Sequence, residues 1–276
     1  MREKLSTKNE ITWCPGCFNF MILEATKRTL NKLIDEKYRQ ENFAMVTGIG
    51  CHAKIFDYLN ISGFYGLHGR VIPTALGMKL GNPNLTILGF AGDGDTYAEG
   101  MAHFIHAGRY NADITLIVHD NQSFALTTGQ STPTSQRGFE SKAQPLGEFN
   151  QPLNPIKLAL ASGVSFVARA FPKEIEHTSE IMKKAIKHKG FSFIEMIQPC
   201  LQFNKEMNEI GKLTYKIKDN QDDFSRAMLL AEEWDYNTSK GKIPIGVIYQ
   251  IQKPTLSDKW PQLTEFKKKK ISWKDF

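Results

Sequence analysis

Apolar positions along the chain follow two alternating spacings. Short apolar runs fall at Phe43-Ala-Met-Val-Thr47, 85–91, 113–119, 164–169 and 191–197. Each is too short for a stable helix and is flanked by Gly, Asn, Asp or Pro, so each predicts a strand. Between them lie segments with helical spacing. Residues 19–39 place Met21, Ile22, Ala25, Leu30, Leu33 and Ile34 near one face, and 97–109, 155–162 and 173–188 read in the same way. Arg70 to Leu80 predicts a helix rich in small residues, suited to close packing. Strand–helix alternation of this kind predicts an α/β fold, a doubly wound parallel sheet with helices on both faces. Residues 122–154 follow neither spacing and are rich in Gln, Ser, Thr, Pro and Gly, which predicts a long ordered loop. Loops of that length in compact domains are usually functional. The pattern weakens beyond Cys200. The predicted division is a domain over 1–200 and a C-terminal extension over 201–276 with one helix near 222–236.

Composition adds bounds. The chain has 276 residues, 41% hydrophobic and 23% charged, the balance of an ordinary globular protein. It contains no apolar run of about 18 residues, so no membrane-spanning helix and no membrane partner are expected. Met1 to Glu10 lacks the apolar core of a signal peptide, and a cytoplasmic location is the expectation. The net charge of +6 is spread out. One basic run, Lys267 to Lys270, reads as a solvated tail or as a patch for an acidic protein partner. Aromatic and basic residues do not interleave as in a nucleic-acid module, so no nucleic-acid partner is expected.

Candidate chemistry sits at the strand ends. The run 85–91 leads into Gly92-Asp93-Gly94-Asp95, and 114–118 leads into His119-Asp120-Asn121, with about one helix between them. Ligands of open parallel sheets bind at the carboxyl ends of strands. Gly92 and Gly94 let the backbone approach an anion, and the helix that follows aims its N-terminus there. Mg²⁺ takes oxygen ligands at short range. Asp93, the Asn121 carboxamide and the Ser123 carbonyl could supply three, with a diphosphate and water completing the shell. Either dipeptide alone reads as a tight turn. Both at strand ends, at this spacing, favour a metal-clamped diphosphate.

Four cysteines form a second signal: Cys14-Pro-Gly-Cys17, Cys51 and Cys200. A thioredoxin-like pair has the CxxC spacing but should follow a strand, whereas this one precedes the first helix. Four thiolates could hold Zn²⁺ or a [4Fe–4S] cluster.

Gly92-Asp93-Gly94 followed by Asn121 resembles the diphosphate-binding motif of thiamine enzymes, over roughly residues 10–200. Trp13-Cys14-Pro-Gly-Cys17, Gly48-Ile49-Gly50-Cys51, His68-Gly-Arg70, Gly92-Asp-Gly-Asp95, Asp120-Asn121 and Gln198-Pro-Cys200 occur in that order. Together they resemble the β subunit of the 2-oxoacid:ferredoxin oxidoreductases. The resemblance implies thiamine diphosphate bound at Ile49, Gly50, Cys51, His52, His68, Gly92, Gly94, Asp95, Ala125 and Leu126. It implies Mg²⁺ on Asp93, Asn121 and Ser123, and a [4Fe–4S] cluster on Cys14, Cys17, Cys51 and Cys200. Lys54 would face cofactor and substrate and attract the 2-oxoacid carboxylate, His68 would contact the cofactor, and Leu126 would support its bent conformation. An α subunit would carry the pyrimidine-binding module and the activating glutamate, and the assembly would be a dimer of αβ units. The implied reaction is oxidative decarboxylation of a 2-oxoacid, with coenzyme A capturing the acyl group and ferredoxin taking the electrons. A one-electron carrier beside a thiamine site favours the cluster over zinc, which has no redox chemistry.

The chain departs from common family patterns at Phe124, where tyrosine is frequent, at Thr128, where glycine or lysine is frequent, and at the variable His52. Phe124 and Thr128, in the loop, bear on the substrate, for which 2-oxoglutarate or a broad range is favoured and pyruvate is the alternative. Non-oxidative thiamine chemistry, with zinc or free thiols in place of the cluster, and a non-catalytic nucleotide-binding module are the rival readings. His103 and His106 have no metal-ligand spacing and read as packing or surface residues.

Overall fold

A computed structural model of the chain describes residues 5–220, 222–237 and 241–269. The elements run in the order α1 (Asn19–Asp35), β1 (Phe43–Thr47), α2 (Ile55–Tyr58), β2 (Ser62–Tyr65), α3 (Val71–Gly81), β3 (Thr86–Gly92), α4 (Met101–Tyr110), β4 (Thr115–Asp120), α5 (Pro155–Ala161), β5 (Phe166–Ala170), α6 (Ile175–Lys187), β6 (Ser192–Ile197), β7 (Thr214–Lys216), α7 (Phe224–Glu232), β8 (Ile243–Gln250) and α8 (Pro261–Lys269). One eight-stranded sheet has the order β2-β1-β3-β4-β6-β5-β8-β7. Every pairing is parallel except β5 with β8.

Strands β1, β3, β4, β5 and β6 are apolar runs rather than alternating ones because both faces of the sheet are covered. Phe43, Met45, Leu88, Phe90, Ile117, Ile194 and Met196 share a core with Leu30 and Leu33 of α1 and Met182 and Ala185 of α6. The intervening residues, among them Val46, Ile87, Leu116, Val118 and Phe193, pack with α3, α4, α5 and α7 on the other side. Helices α5 and α7 carry a side-chain N-cap. Asn154 caps α5 by accepting the Lys157 amide, with Pro155 at the first position. Asn111 closes α4 in the left-handed conformation, φ 55°.

The doubly wound α/β expectation holds, and the departures from it have local causes. α1 stops at Asp35, where Lys37 turns left-handed at φ 73°. The segment read as a helix from 97 starts earlier, as a π-helical turn over Asp95–Glu99 that passes into α4. β2 is solvent-exposed along its length and has no apolar alternation to reveal it. The segment beyond Cys200 is more than an appendage. β8 pairs with β5 and β7 with β8, which extends the sheet by two strands. A separate cluster of Phe18, Phe171, Ile197, Met207, Ile210, Trp234, Tyr236, Ile243 and Ile245 seats this segment on the rest. In the basic run, Lys268 and Lys269 lie near Glu265 on α8. Lys270 and the side chain of Lys267 lie outside the described residues.

The register aligns one edge of the sheet. Thr47 pairs with Phe90, Gly92 with His119, and Asp120 with Ile197. The chain leaves β1 toward β2 and returns to β3 on the other side, so the winding reverses between β1 and β3. That switch point lies next to Gly48 and Gly92, where a ligand crevice is expected.

Candidate functional site

A cleft of about 480 Å³ opens at this switch point. Its lining includes Ile49, Gly50, Cys51, His52, His68, Gly92, Asp93, Gly94, Asp95, Asn121, Ser123, Ala125 and Leu126. All the residues expected at the cofactor and the metal are therefore brought together. Lys54 lies instead in the neighbouring cysteine cavity.

The glycines are required by close approaches. A Cβ on Gly94 would stand 2.1 Å from Phe124 Cε1, and one on Gly48 would stand 1.7 Å from Asp95 Oδ2. Only glycine leaves room here for the Phe124 ring and the Asp95 carboxylate. Asp93 is buried and its Oδ2 accepts the hydroxyls of Thr132, at 2.5 Å, and Thr134, at 2.9 Å. Thr134 Oγ1 also lies 2.9 Å from Asp120 Oδ1. Burial pushes the Asp93 carboxyl up to about 6, against the pull of the two threonine hydroxyls. Burial and the nearby Asp93 raise Asp120 well above the usual carboxylate range. Two buried carboxyls with no ion pair to a basic side chain among the described residues fit a site that receives a divalent cation, whose charge offsets the effect of burial. The Asn121 carboxamide oxygen accepts the Ser123 amide at 3.0 Å, and the Ser123 carbonyl accepts the Ala125 amide at 2.9 Å. These bonds fold the chain after β4 so that both expected oxygen donors lie in the cleft wall.

Asp95 has a connecting role. One oxygen accepts the backbone amide of Gly69, and the other lies 3.2 Å from His52 Nε2. The His52 contact is close but too poorly aligned to count as a hydrogen bond. His68 is half-buried beside Phe124, with ring centroids 5.9 Å apart. His106 is exposed and stacks on Tyr110, away from the cleft.

A second cavity, about 690 Å³, adjoins the first. All four cysteines line it, with Lys54, Thr128 and Phe203. Pro15 and Gly16, at φ 76°, turn the chain so that the Cys17 amide reaches the Cys14 carbonyl at 3.0 Å, as a type II turn requires. The Trp13 indole donates to the Cys51 carbonyl at 2.7 Å and joins the first two cysteine segments. Burial raises the Cys17 thiol to about 11, and the other three cysteines add to the shift. Among the described residues, no three His, Cys, Asp or Glu side chains converge on a single ion position. Four cysteine thiols lining one cavity fit the ligand set of an iron–sulfur cluster. Lys54 Nζ bonds the Thr12 carbonyl at 3.2 Å and its hydroxyl at 3.1 Å, at the wall of this cavity.

The two cavities share Cys51, Asn121, Ala125, Leu126 and Gln198 as a common wall. Residues 48–196 match the family model described as the thiamine pyrophosphate enzyme C-terminal TPP binding domain. Residues 200–265 match the model for the C-terminal part of the pyruvate ferredoxin oxidoreductase β chain. The 2-oxoacid:ferredoxin oxidoreductase subunit beta of Saccharolobus solfataricus is 40% identical over 258 residues, covering 86% of this chain and 81% of that protein. The chain belongs to the 2-oxoacid:ferredoxin oxidoreductase β-subunit family. Another relative, the 2-oxoglutarate synthase subunit KorB of Methanothermobacter thermautotrophicus, is 35% identical, covering 90% of this chain and 85% of that protein. A solved structure of the 2-oxoglutarate:ferredoxin oxidoreductase from Magnetococcus marinus, with 2-oxoglutarate, coenzyme A and succinyl-CoA bound, superposes with a TM-score of 0.87. It is 30% identical, and the match covers 96% of this chain and 89% of that one.

Within this oxidoreductase β chain, several contributors escape a reading by motif. Thr132 and Thr134 come from the long loop and reach Asp93 only in three dimensions. His119, next to the end of β4, lines the cleft, held through Nδ1 by Asn19 at 2.8 Å. Burial, reinforced by His52, lowers its pKa well below the usual range, which keeps it neutral. Gln198 lines both cavities. Thr128, one of the departures from the family pattern, holds φ 79°, which a β-branched residue rarely adopts. Glycine accepts that conformation without strain, and so fits the position better than threonine does.

Proposed function

We propose that this β subunit holds thiamine diphosphate, Mg²⁺ and a [4Fe–4S] cluster, and works with an α subunit in the coenzyme A-dependent oxidative decarboxylation of a 2-oxoacid. The observation that carries the reading is the common wall between the cofactor cleft and the cavity of four cysteines. A centre that removes electrons has to stand beside the carbon that gives them up, and Cys51 belongs to both cavities.

Bound thiamine supplies an electron sink for decarboxylation. The chain's residues do the rest. Asp93, Asn121 and the Ser123 carbonyl would hold Mg²⁺, while the Gly92 and Gly94 backbone admits the diphosphate. Asp95 ties the His68 loop to the floor of the cleft. Ile49, Gly50, His52, His68, Ala125 and Leu126 form the walls around the cofactor ring. Cys14, Cys17, Cys51 and Cys200 would hold the cluster, with buried Asn121 and Gln198 in the wall between it and the cofactor cleft. Lys54 gives a positive charge at the cysteine cavity, suited to drawing in an anionic substrate or thioester. The α subunit supplies the activating glutamate and most of the coenzyme A site, two αβ units pair, and a cytoplasmic ferredoxin accepts the electrons. Names of relatives support 2-oxoglutarate or a broader range of 2-oxoacids as substrate.

The test is metal analysis of the αβ complex purified without oxygen. About four iron and four sulfide per β chain, with a broad visible band that bleaches on dithionite, is the expected result. One zinc and no sulfide would overturn the oxidative reading in favour of a thiamine protein without an electron path. Turnover of 2-oxoglutarate, pyruvate and branched 2-oxoacids with ferredoxin then ranks the substrates.

A further inference from the structure

Gln198 is the first residue after β6, and its backbone amide extends the β4–β6 ladder by bonding the Asp120 carbonyl at 2.8 Å. Its position is therefore set by the sheet and not by a mobile loop. Only 2% of its surface is exposed. The side-chain Nε2 donates to Cys17 Sγ at 3.8 Å, while Oε1 is buried without a partner. Among the described residues, that sulfur is the amide's only side-chain hydrogen-bond partner. The orientation follows from charge. With Cys17 ligating a cluster as a thiolate, an amide turned the other way would press a carbonyl oxygen against it, and both are acceptors.

A second sulfur has a donor of another kind. The Phe203 backbone amide lies 3.4 Å from Cys200 Sγ. A backbone donor cannot be removed by substitution of its own side chain. Gln198 can, so it is the point at which evolution or a mutation can change the electronics without altering the ligand set. Reduction of a cluster adds a negative charge that spreads onto its thiolates. An N–H aimed at one sulfur stabilises the reduced form and raises the potential.

We propose that Gln198 is a positioning residue that sets the reduction potential of the cluster through its hydrogen bond to Cys17, while forming the wall between cluster and cofactor. The proposal rests on the cluster reading given above. Electron transfer from the cofactor cleft is thereby tuned by a residue that ligates neither group.

The test uses the anaerobic αβ complex in three forms: unmodified, Gln198→Leu and Gln198→Glu. Iron and sulfide are counted in each, and the potential is read by dye-mediated titration followed by electron paramagnetic resonance. Gln198→Leu removes the donor at similar volume. It is expected to keep its iron and to be harder to reduce by on the order of tenfold in the reduction equilibrium, or ~59 mV for one electron. Gln198→Glu sets a carboxylate against the sulfur and is expected to shift further in the same direction. Equal potentials in all three forms, with full clusters, overturn the proposal. Loss of the cluster in both variants overturns it too, because Gln198 is then a structural prop of the site. An unmodified complex without iron or sulfide contradicts the cluster reading itself, a separate failure visible before any variant is made.

Discussion

His52 Nε2 lies 3.2 Å from Asp95 Oδ2, with both side chains buried beneath the cofactor cleft. The other Asp95 oxygen accepts the Gly69 amide, so one carboxylate joins the turn after β1 to the His68 loop. Removing it leaves a buried N–H without an acceptor, at a cost of about 1–3 kcal/mol. Asp95→Ala is therefore expected to lower the unfolding midpoint of the complex and to weaken thiamine diphosphate binding. Asp95→Asn, which keeps an acceptor for Gly69, should fall between the two. Denaturant titration and calorimetric binding check this. An Asp95→Ala protein with an unchanged midpoint would mean that the two loops hold themselves in place.

Gly94 and Phe124 are a matched pair, since a Cβ on the first would stand 2.1 Å from the ring of the second. Gly94→Ala has to displace that ring, and overpacking of this kind costs about 1–3 kcal/mol. It is expected to cut cofactor affinity by roughly tenfold or more, using the conversion of about 1.4 kcal/mol per decade. Phe124→Ala made in the same protein should recover most of the loss, because it empties the space into which the new methyl projects. A double-mutant cycle on the dissociation constant isolates the coupling. Additive effects would show that the methyl obstructs the diphosphate itself.

Much of this site was readable along the chain, for physical reasons. Gly92, Asp93, Asn121 and Cys200 follow directly from strand ends, and strand ends are marked by short apolar runs that both core faces impose on β3, β4 and β6. The Cys14–Cys17 pair was legible as a CxxC spacing, and the Pro and Gly between them give the turn its geometry. Thr132 and Thr134 were not, because an irregular loop carries no period that says where its side chains arrive. Gln198 stands beside Pro199 and Cys200 in the sequence, yet nothing in its type shows that its amide meets Cys17, which is 181 residues away. β7 and β8 were missed because β7 has three residues and β8 lies beyond a stretch with little alternation. Lys54, expected to face cofactor and substrate, sits on the helical turn over His52–Lys54 and lines the cysteine cavity that shares a wall with the cleft.

Thr134 stands between Asp93 and Asp120, 2.9 Å from an oxygen of each. A hydroxyl has one proton, so it can donate to only one carboxylate at a time. Thr134→Val keeps the shape and removes that donor, leaving Asp93 with Thr132 alone. Supporting residues around a metal typically contribute 10–100-fold to its affinity. The expected outcome is a Mg²⁺ requirement for cofactor retention raised by about that factor, with the iron content unchanged. Thr134→Ser should behave like the unmodified protein. A Thr134→Val complex with the original Mg²⁺ dependence would show that Thr132 alone fixes Asp93.

Glu148 organises the far part of the long loop. Its carboxylate accepts the Ser131 hydroxyl at 2.5 Å, the Gln144 amide at 2.9 Å and the Asn150 backbone amide at 2.9 Å. The Ser131 hydroxyl first, and then the Asn150 backbone, pull the carboxyl down to about 2 from its ordinary 4.5. A carboxyl depressed by folding stabilises the folded loop above the unfolded value and loses that contribution as pH falls. The tie is therefore fully present above about 4.5 and disappears as pH approaches 2. Hydrogen exchange at the Asn150 amide should lose protection across that window. In Glu148→Gln the protection is expected to be weak already at neutral pH and to lack this pH dependence. Limited proteolysis at neutral pH should cut the variant faster within 139–151. Equal protection in both proteins down to pH 3 would assign the loop's order to backbone bonds such as Gly138 N–H to the Glu148 carbonyl and Glu148 N–H to the Phe139 carbonyl instead of to the carboxylate. The loop supplies the hydroxyls on Asp93, so loosening it through Glu148 should also weaken Mg²⁺-dependent cofactor binding in the variant at neutral pH, less than Thr134→Val does.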